Sequence, residues 1–298
     1  MILRSSKIIL LLCFYLNAFG AKLCAQDYEA KSILYNTLIG GFSGAIGSII
    51  NKPKKTKASK AFIKGFITGC GGGALMYSGK KLNMVIAQQQ NISYAWLCRA
   101  VFSAGNSIVE NASAYRPWYS QYHYDIGFIR FEFKTDGTQP LCRPMLMPLA
   151  FGSFVFTAFH GNFDARSSFY SGALVFTNVK IAYASYLVGS TTGNNILLTD
   201  TLNGNNEYPA VFAHEMVHTF QFQELSGVNC YFKPWTAKQS DRSRTFKTLN
   251  TWIYGDVNYG LMLVNYFVIQ GGIIKNRYCR NFLENEAEVL TTGRISCP

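Results

Sequence analysis

Apolar residues dominate the N-terminal third of the chain, and polar residues are more evenly mixed with them after that. Residues 8–19 are almost wholly apolar and follow the basic residues Arg4 and Lys7, and Ala25 offers a small residue shortly afterwards. A basic start, an apolar run and a small residue are typical of a secretory signal peptide. We therefore expect residues 1–25 to be a signal peptide cleaved near Ala25, and the protein to be exported to the periplasm or outside the cell.

Two uncharged, glycine-rich segments follow at residues 32–50 and 65–79, and a lysine-rich stretch joins them. The pattern predicts a helical hairpin in which Gly40 and Gly44 allow the helices to approach closely. One interpretation is a two-helix membrane hairpin with a cytoplasmic basic loop. The second segment falls short of the ~20 residues that a membrane span needs. We therefore favour a hairpin that packs on the protein or on a membrane face.

Residues 82–109 continue with helical periodicity, and the pattern changes after Arg116-Pro117. Ile129, Phe131 and Phe133 then alternate with polar residues, which predicts a strand with one solvent-facing side. Further strands are predicted for the aromatic and β-branched runs at residues 151–160, 174–182 and 196–199. We expect a small, mainly antiparallel sheet within residues 120–200 and an α+β fold.

The C-terminal part is predicted to be mainly helical. One helix starts at Tyr208-Pro209, a core helix covers residues 259–269, and a last helix covers residues 277–290. The polar stretch 226–250 is expected to be a loop.

Charge and cysteine content add two expectations. The formal net charge of +12 falls by three to +9 when Arg4, Lys7 and Lys22 leave with the signal peptide. Many of the remaining basic residues crowd into one stretch, so the basicity is local and suggests an anionic lipid surface or a solvated loop rather than nucleic acid. That cluster consists of Lys52, Lys54, Lys55, Lys57, Lys60 and Lys64. In an oxidising compartment we expect the six remaining cysteines to form three disulfides, and the alternative is buried free thiols; these are Cys70, Cys98, Cys142, Cys230, Cys279 and Cys297.

The strongest chemical signal is His214-Glu215-Met216-Val217-His218. On a helix, residues four apart share a face, so both imidazoles can bind one metal ion while Glu215 reaches its water. A hydrolytic zinc site usually takes three protein ligands, so a third is required. His123 and His160 lie in the predicted sheet and are weak candidates, because isolated histidines in such a region are more often packed or surface residues.

A better third ligand lies in Glu284-Asn285-Glu286-Ala287-Glu288, and here the chain resembles the gluzincin metallopeptidases. The match is similar to the Glu-x-Glu-Ala-Asp variant of the membrane-associated zinc endopeptidases that process prenylated proteins. The resemblance implies that Glu284 is a zinc ligand, that Ala287 lets two helices approach, and that Glu288 orients a ligand histidine. The chain departs from the family by having Glu288 in place of aspartate. The resemblance covers residues near 211–222 and 281–290. We expect a zincin-like catalytic domain at residues 114–298, preceded by the glycine-rich region at residues 26–113.

Helical geometry favours the same ligand independently. Glu284 and Glu288 share one helix face, whereas Glu286 points about 200° away. The alternative is that Asn281 caps the helix with Glu284 at its third position, an arrangement that needs no metal. Gln221 and Gln223 could reach the glutamate helix, but we expect them to face solvent.

These residues predict an exported zinc metallopeptidase with one Zn²⁺ per chain and a peptide or protein substrate. Glu215 is the expected general base. The sequence leaves the oxyanion-stabilising donor open; the candidates are Tyr278, Tyr266, Tyr254, Arg277 and Arg280. The alternative is a non-catalytic envelope or membrane-associated protein whose zinc site is structural or vestigial.

Overall fold

The computed structural model describes residues 25–135, 142–178, 188–200, 207–266 and 281–294. The expected signal peptide lies almost entirely outside these ranges, and Arg277, Tyr278 and Arg280 lie wholly outside them. Helices form most of the described chain and two small sheets complete it, so the α+β class is confirmed.

The N-terminal region is a helical hairpin of α1 (Ala25–Asn51) and α2 (Ala58–Lys81), followed by α3 (Asn83–Gln89) and α4 (Ala95–Ser113). Glycines set the separation of the first two helices. A Cβ atom on Gly44 would lie 2.4 Å from the carbonyl oxygen of Gly65, and one on Gly69 would lie 2.2 Å from that of Gly40. Only glycine permits this backbone approach.

The hairpin packs against the rest of the protein. Tyr35 and Met76 belong to the same hydrophobic cluster as Phe212, Phe220 and Leu283. Among the described residues, Tyr28–Asn51 is the one helical stretch long and apolar enough to cross a membrane, and 56% of its apolar window is buried inside the protein. This packing agrees with the interpretation of a hairpin docked on the protein.

The first sheet is antiparallel and contains β1 (Gln121–Ile126), β2 (Ile129–Lys134) and β3 (Cys142–Leu146) in that order. The strand expected around Ile129 is present, but its polar side faces inward: Arg130 is fully buried and Phe133 is 37% exposed. Arg130 is held by Glu110 at 2.5 Å and lies 3.9 Å from the ring centroid of Tyr254. The ion pair and the ring contact replace the solvent that the alternation had suggested.

The second sheet has the order β4 (Asn162–Phe163), β5 (Leu174–Asn178), β7 (Asn195–Thr199) and β6 (Gly189–Thr192). β5 and β7 are parallel, and the other pairs are antiparallel. Helix α6 (Ala165–Ser171) precedes β5.

The strand expected at residues 151–160 is wrong, because this segment forms helix α5 (Pro148–His160). Pro148 suits a first helical turn. The Asp256 carboxylate accepts hydrogen bonds from the amides of Leu149 and Ala150 at 3.1 and 2.8 Å. A distant residue therefore caps this helix.

The C-terminal region contains α7 (Tyr208–Gln223), a 3₁₀ segment (Ser226–Phe232), α8 (Lys233–Arg242), α9 (Arg244–Trp252), α10 (Val257–Val264) and α11 (Phe282–Thr292). The loop expected at residues 226–250 is wrong. Pro234 lies in the first turn of α8, and the Ser243 side chain caps α9 by accepting from the amide of Phe246 at 3.2 Å. The charged residues here occupy solvated helix faces.

The expected set of three disulfides is also wrong. Cys70, Cys98, Cys142 and Cys230 are free thiols, while Cys279 and Cys297 lie outside the described residues. Cys98 and Cys230 are buried separately, and burial raises the pKa of Cys98 to about 12. Each behaves as a small apolar side chain.

Candidate metal centre

Helix α7 carries the His-Glu-x-x-His motif through the middle of the protein. Pro209 lies in its first turn, and Phe220 stacks on Phe102 of α4 with ring centroids 4.4 Å apart. These apolar contacts fix the rotation of the helix, so that His214 and His218 both face α11.

Helix α11 brings the glutamates to the same place. Asn281 caps it by accepting a hydrogen bond from the amide of Leu283 at 2.9 Å, and Gly293 ends it with a φ of 72°. Ala287 is fully buried and clusters with Val217 of α7. The cap in the alternative interpretation is therefore present, but the Glu284 carboxylate faces the two histidines.

His214, His218 and Glu284 form a compact triangle of possible ligand atoms. The two histidine Nε2 atoms are 3.1 Å apart, and Glu284 Oε2 is 3.4 Å from each of them. Tetrahedral zinc with bonds of about 2.0–2.1 Å places its ligand atoms about 3.3–3.4 Å apart. The three side chains therefore fit an ion of this size, with a fourth position left open.

The triangle also stabilises positive charge. Burial alone would lower the pKa of His218, but the Glu284 carboxylate outweighs burial and raises it to about 9. Burial likewise opposes ionisation of Glu284, yet His218 and His214 hold its pKa well below the usual range. A buried site with this preference suits a cation.

Glu215 lies beside the triangle and is held from β6. The Thr191 hydroxyl donates to Glu215 Oε2 at 2.8 Å, and a Cβ atom at Gly189 would lie 2.6 Å from Oε1. Burial raises the pKa of Glu215, although both histidines and Thr191 act in the opposite direction. A carboxylate with a raised pKa, next to a possible metal, suits a general base.

A cavity of about 540 Å³ opens onto Glu215 and the triangle. One side is β6, which pairs with β7 alone among the described strands. The other walls are largely apolar, and they include Leu149, Phe156, Phe222, Met262, Leu263 and Leu283. The cavity thus combines the edge strand of the described sheet with apolar walls.

Of the two oxyanion candidates that the structure describes, Tyr266 lines this cavity, and its hydroxyl donates a hydrogen bond to Glu284 Oε1. Tyr254 instead donates to Glu110 at 2.8 Å. Glu288 Oε2 lies 3.7 Å from His214 Nδ1, which is beyond hydrogen-bond distance. The resemblance implied a hydrogen bond from a ligand histidine to Glu288, and at this separation the contact between His214 and Glu288 is electrostatic.

The other two histidines lie elsewhere. His123 is buried with Ser107, which lies 3.0 Å from its Nδ1, and His160 Nδ1 lies 2.7 Å from the carbonyl oxygen of Phe156. Neither belongs to the described metal-binding group.

Several contacts around the site were not expected from the sequence. Gln221 and Gln223 are 2% and 3% exposed, so the expectation that they face solvent is wrong. Gln221 contacts His218 and α11, and Gln223 donates to Asn194 at 2.7 Å. Thr191 contacts Glu215 directly from β6, and the sequence contains no motif that predicts this contact. The alternation of both glutamines with Phe220 and Phe222 was a signal for a helix buried on all sides.

No family model, curated protein or solved structure matches this chain.

Proposed function

We propose that this protein is an exported, zincin-like metallopeptidase that hydrolyses peptide bonds with one zinc ion per chain. The observation that carries the proposal is the triangle of His214, His218 and Glu284, with edges of 3.1, 3.4 and 3.4 Å beside the buried Glu215. These are the residues and dimensions of a three-ligand zinc site with one position for chemistry. The resemblance to gluzincins assigns the same three residues.

Each residue then has a definite role. Zinc held by the triangle supplies Lewis acidity, which acidifies water and polarises a carbonyl group. Glu215 accepts a proton from the attacking water and passes it to the nitrogen of the leaving amine as the peptide C–N bond breaks. Thr191 holds the Glu215 carboxylate, and Tyr266 fixes Glu284 through its second oxygen.

The cavity supports a peptide as the substrate. Residues 189–192 form the strand at one edge of the described part of the second sheet, beside the proposed general base, and an extended peptide can pair with a sheet edge. The apolar walls favour a substrate with an apolar side chain near the cleaved bond.

The test compares wild type with Glu215→Gln on a peptide library, with zinc content measured in parallel. The variant should lose at least about 10²–10⁴-fold in kcat/KM, because an amide cannot accept the proton. It should retain zinc, since none of the three ligands changes. Wild-type activity in the variant would contradict the role of Glu215.

A second candidate is a non-catalytic envelope protein with a structural zinc ion that contacts an anionic membrane through the hairpin. The favouring observation is the exposure of Ile63 and Ile67, at 57% and 66%, next to the lysine-rich connection. A folded, zinc-loaded wild type that cleaves no peptide would favour this candidate.

A further inference from the structure

Gln221 holds His218 in one orientation. Its Oε1 atom accepts a hydrogen bond from His218 Nδ1 at 2.7 Å. Its Nε2 atom donates to the carbonyl oxygen of Leu283 at 2.9 Å and to Glu286 Oε2 at 2.8 Å. Because both of these partners only accept, the amide cannot flip, and Oε1 must face the imidazole. His218 therefore carries a proton on Nδ1, and Nε2 is the ring nitrogen that faces the triangle and is left to bind a metal.

Glu286 is held in turn by the N-terminal hairpin. Lys80 Nζ of α2 donates to Glu286 Oε2 at 2.9 Å, and Asn36 Nδ2 of α1 donates to Oε1 at 2.7 Å. Lys80 also pairs closely with Glu224, which accepts from the Tyr35 hydroxyl at 2.7 Å. Lys80, Glu224, Glu286 and Asn36 are all completely buried. The Glu286 carboxylate, which points away from the triangle, therefore contacts both helices of the hairpin.

Stability alone is a poor reason for this arrangement. Desolvating an ammonium and two carboxyl groups costs several kcal/mol per ion, and apolar residues of similar size are often as stable or more so. What apolar residues could not supply is a fixed acceptor for the Gln221 amide. Hydrogen bonds behind a ligand histidine set its tautomer and orientation, and they tune metal affinity.

We propose that Lys80, Glu286 and Gln221 are positioning residues that fix the orientation of His218 for metal binding. The glycine-rich hairpin, which carries Lys80, therefore contributes to metal affinity. The series runs from Lys80 Nζ through Glu286 Oε2 and the Gln221 amide to His218 Nδ1. This inference rests on the proposed zinc site. Glu286 binds no metal, and Lys80 lies more than a hundred residues from the motif. Both have a positioning role only because the fold brings them to Gln221.

The test measures zinc dissociation constants by competition with a chelator for wild type, Gln221→Met and Lys80→Met. Both variants should bind zinc about 10–100-fold more weakly, which is the usual effect of removing such a partner. Gln221→Met preserves side-chain size and removes no charge, so it tests the proposal even where Lys80→Met fails to fold. Tyr35→Phe is the matched control, because it perturbs the same buried cluster at Glu224 and leaves Gln221 and Glu286 untouched.

A spectroscopic readout separates positioning from general destabilisation. In cobalt-loaded wild type, the His218 Nδ1 proton should give a slowly exchanging, hyperfine-shifted resonance, because Gln221 accepts it in a buried site. That resonance should exchange rapidly in Gln221→Met and persist in Tyr35→Phe. Zinc affinities within about twofold of wild type in Gln221→Met, with the resonance unchanged, would overturn the positioning role and leave the zinc site intact. A wild type that binds no zinc would overturn the proposed function and this inference together.

Discussion

At the scale of single residues, the proposed general base, Glu215, is held by a strand that lies outside the motif. Gly189 leaves room for the Glu215 carboxylate, since a Cβ atom there would lie 2.6 Å from Oε1. Gly152 lines the same cavity, but a Cβ atom there would meet nothing within 4 Å. The two glycines thus form a matched pair for substitution.

Gly189→Ala should reduce kcat by about 10²-fold, because it displaces the carboxylate by a fraction of its hydrogen-bond length. Gly152→Ala should have little effect on kcat, and both variants should retain wild-type zinc affinity. Steady-state kinetics with zinc titration measures this. An equal loss of activity in both variants would argue against a general base confined by β6.

The residues of the triangle could be predicted from the sequence, and their supporting partners could not. The histidine pair lies within one helical turn, and Glu284 belongs to a short pattern on another helix. Thr191 and Lys80 reach the site only through tertiary contacts. Spacing along the chain carries no information about such contacts.

At the scale of elements, sequence patterns identified the glycine-rich hairpin, the alternating strand β2, the β-branched strands β5 and β7, and the motif helix α7. They failed for α5, where an apolar run without periodicity is compatible with either a strand or a buried helix. The contact that favours the helix is the hydrogen bonding of the first α5 amides to the Asp256 carboxylate. Asp256 lies over a hundred residues further along the chain. The pattern also gave the wrong orientation for β2, whose polar side was expected to face solvent. Arg130 on that side is buried against Glu110 of α4.

The packing of α4 on the first sheet predicts acid-sensitive stability. Burial, and secondly Arg130, lower the pKa of His123 to about 3 from its usual 6.5, with Glu110, Glu132 and Arg116 also nearby. Below pH 6.5, His123 therefore binds a proton in the unfolded chain but not in the folded one. The free energy of unfolding falls as the pH falls towards 3. Asp125, whose burial raises its pKa to about 6, acts in the opposite direction.

Comparison with His123→Gln isolates the histidine contribution. Between pH 7 and pH 5, wild type should lose about 2 kcal/mol more unfolding free energy than this variant. Urea denaturation at each pH measures the difference, and the same substitution at the partly exposed His160 is the control. Parallel pH dependence in wild type and His123→Gln would contradict a neutral buried His123.

At the scale of the whole molecule, the glycine-rich hairpin and the region carrying the motif share one hydrophobic cluster. Glycines at the α1–α2 contact therefore matter to the entire fold. A Cβ atom on Gly69 would lie 2.2 Å from the Gly40 carbonyl oxygen, whereas one on Gly71 of the same helix would meet nothing within 4 Å.

Gly69→Ala should lower the free energy of unfolding by about 1–3 kcal/mol through overpacking. Gly71→Ala should raise it by about 0.5–1 kcal/mol, because alanine favours the helix. Denaturant unfolding followed by far-UV circular dichroism measures both. Equal effects would show that the hairpin contact is looser than described.

Zinc stoichiometry, measured by elemental mass spectrometry, is the decisive test of the proposed metal site. Wild type purified with zinc present should carry about one zinc per chain. Glu284→Ala should lose it or bind it far more weakly, and Asn285→Ala, on the same helix but outside the triangle, should retain it. Folded wild type without zinc, or full zinc retention in Glu284→Ala, would contradict the account.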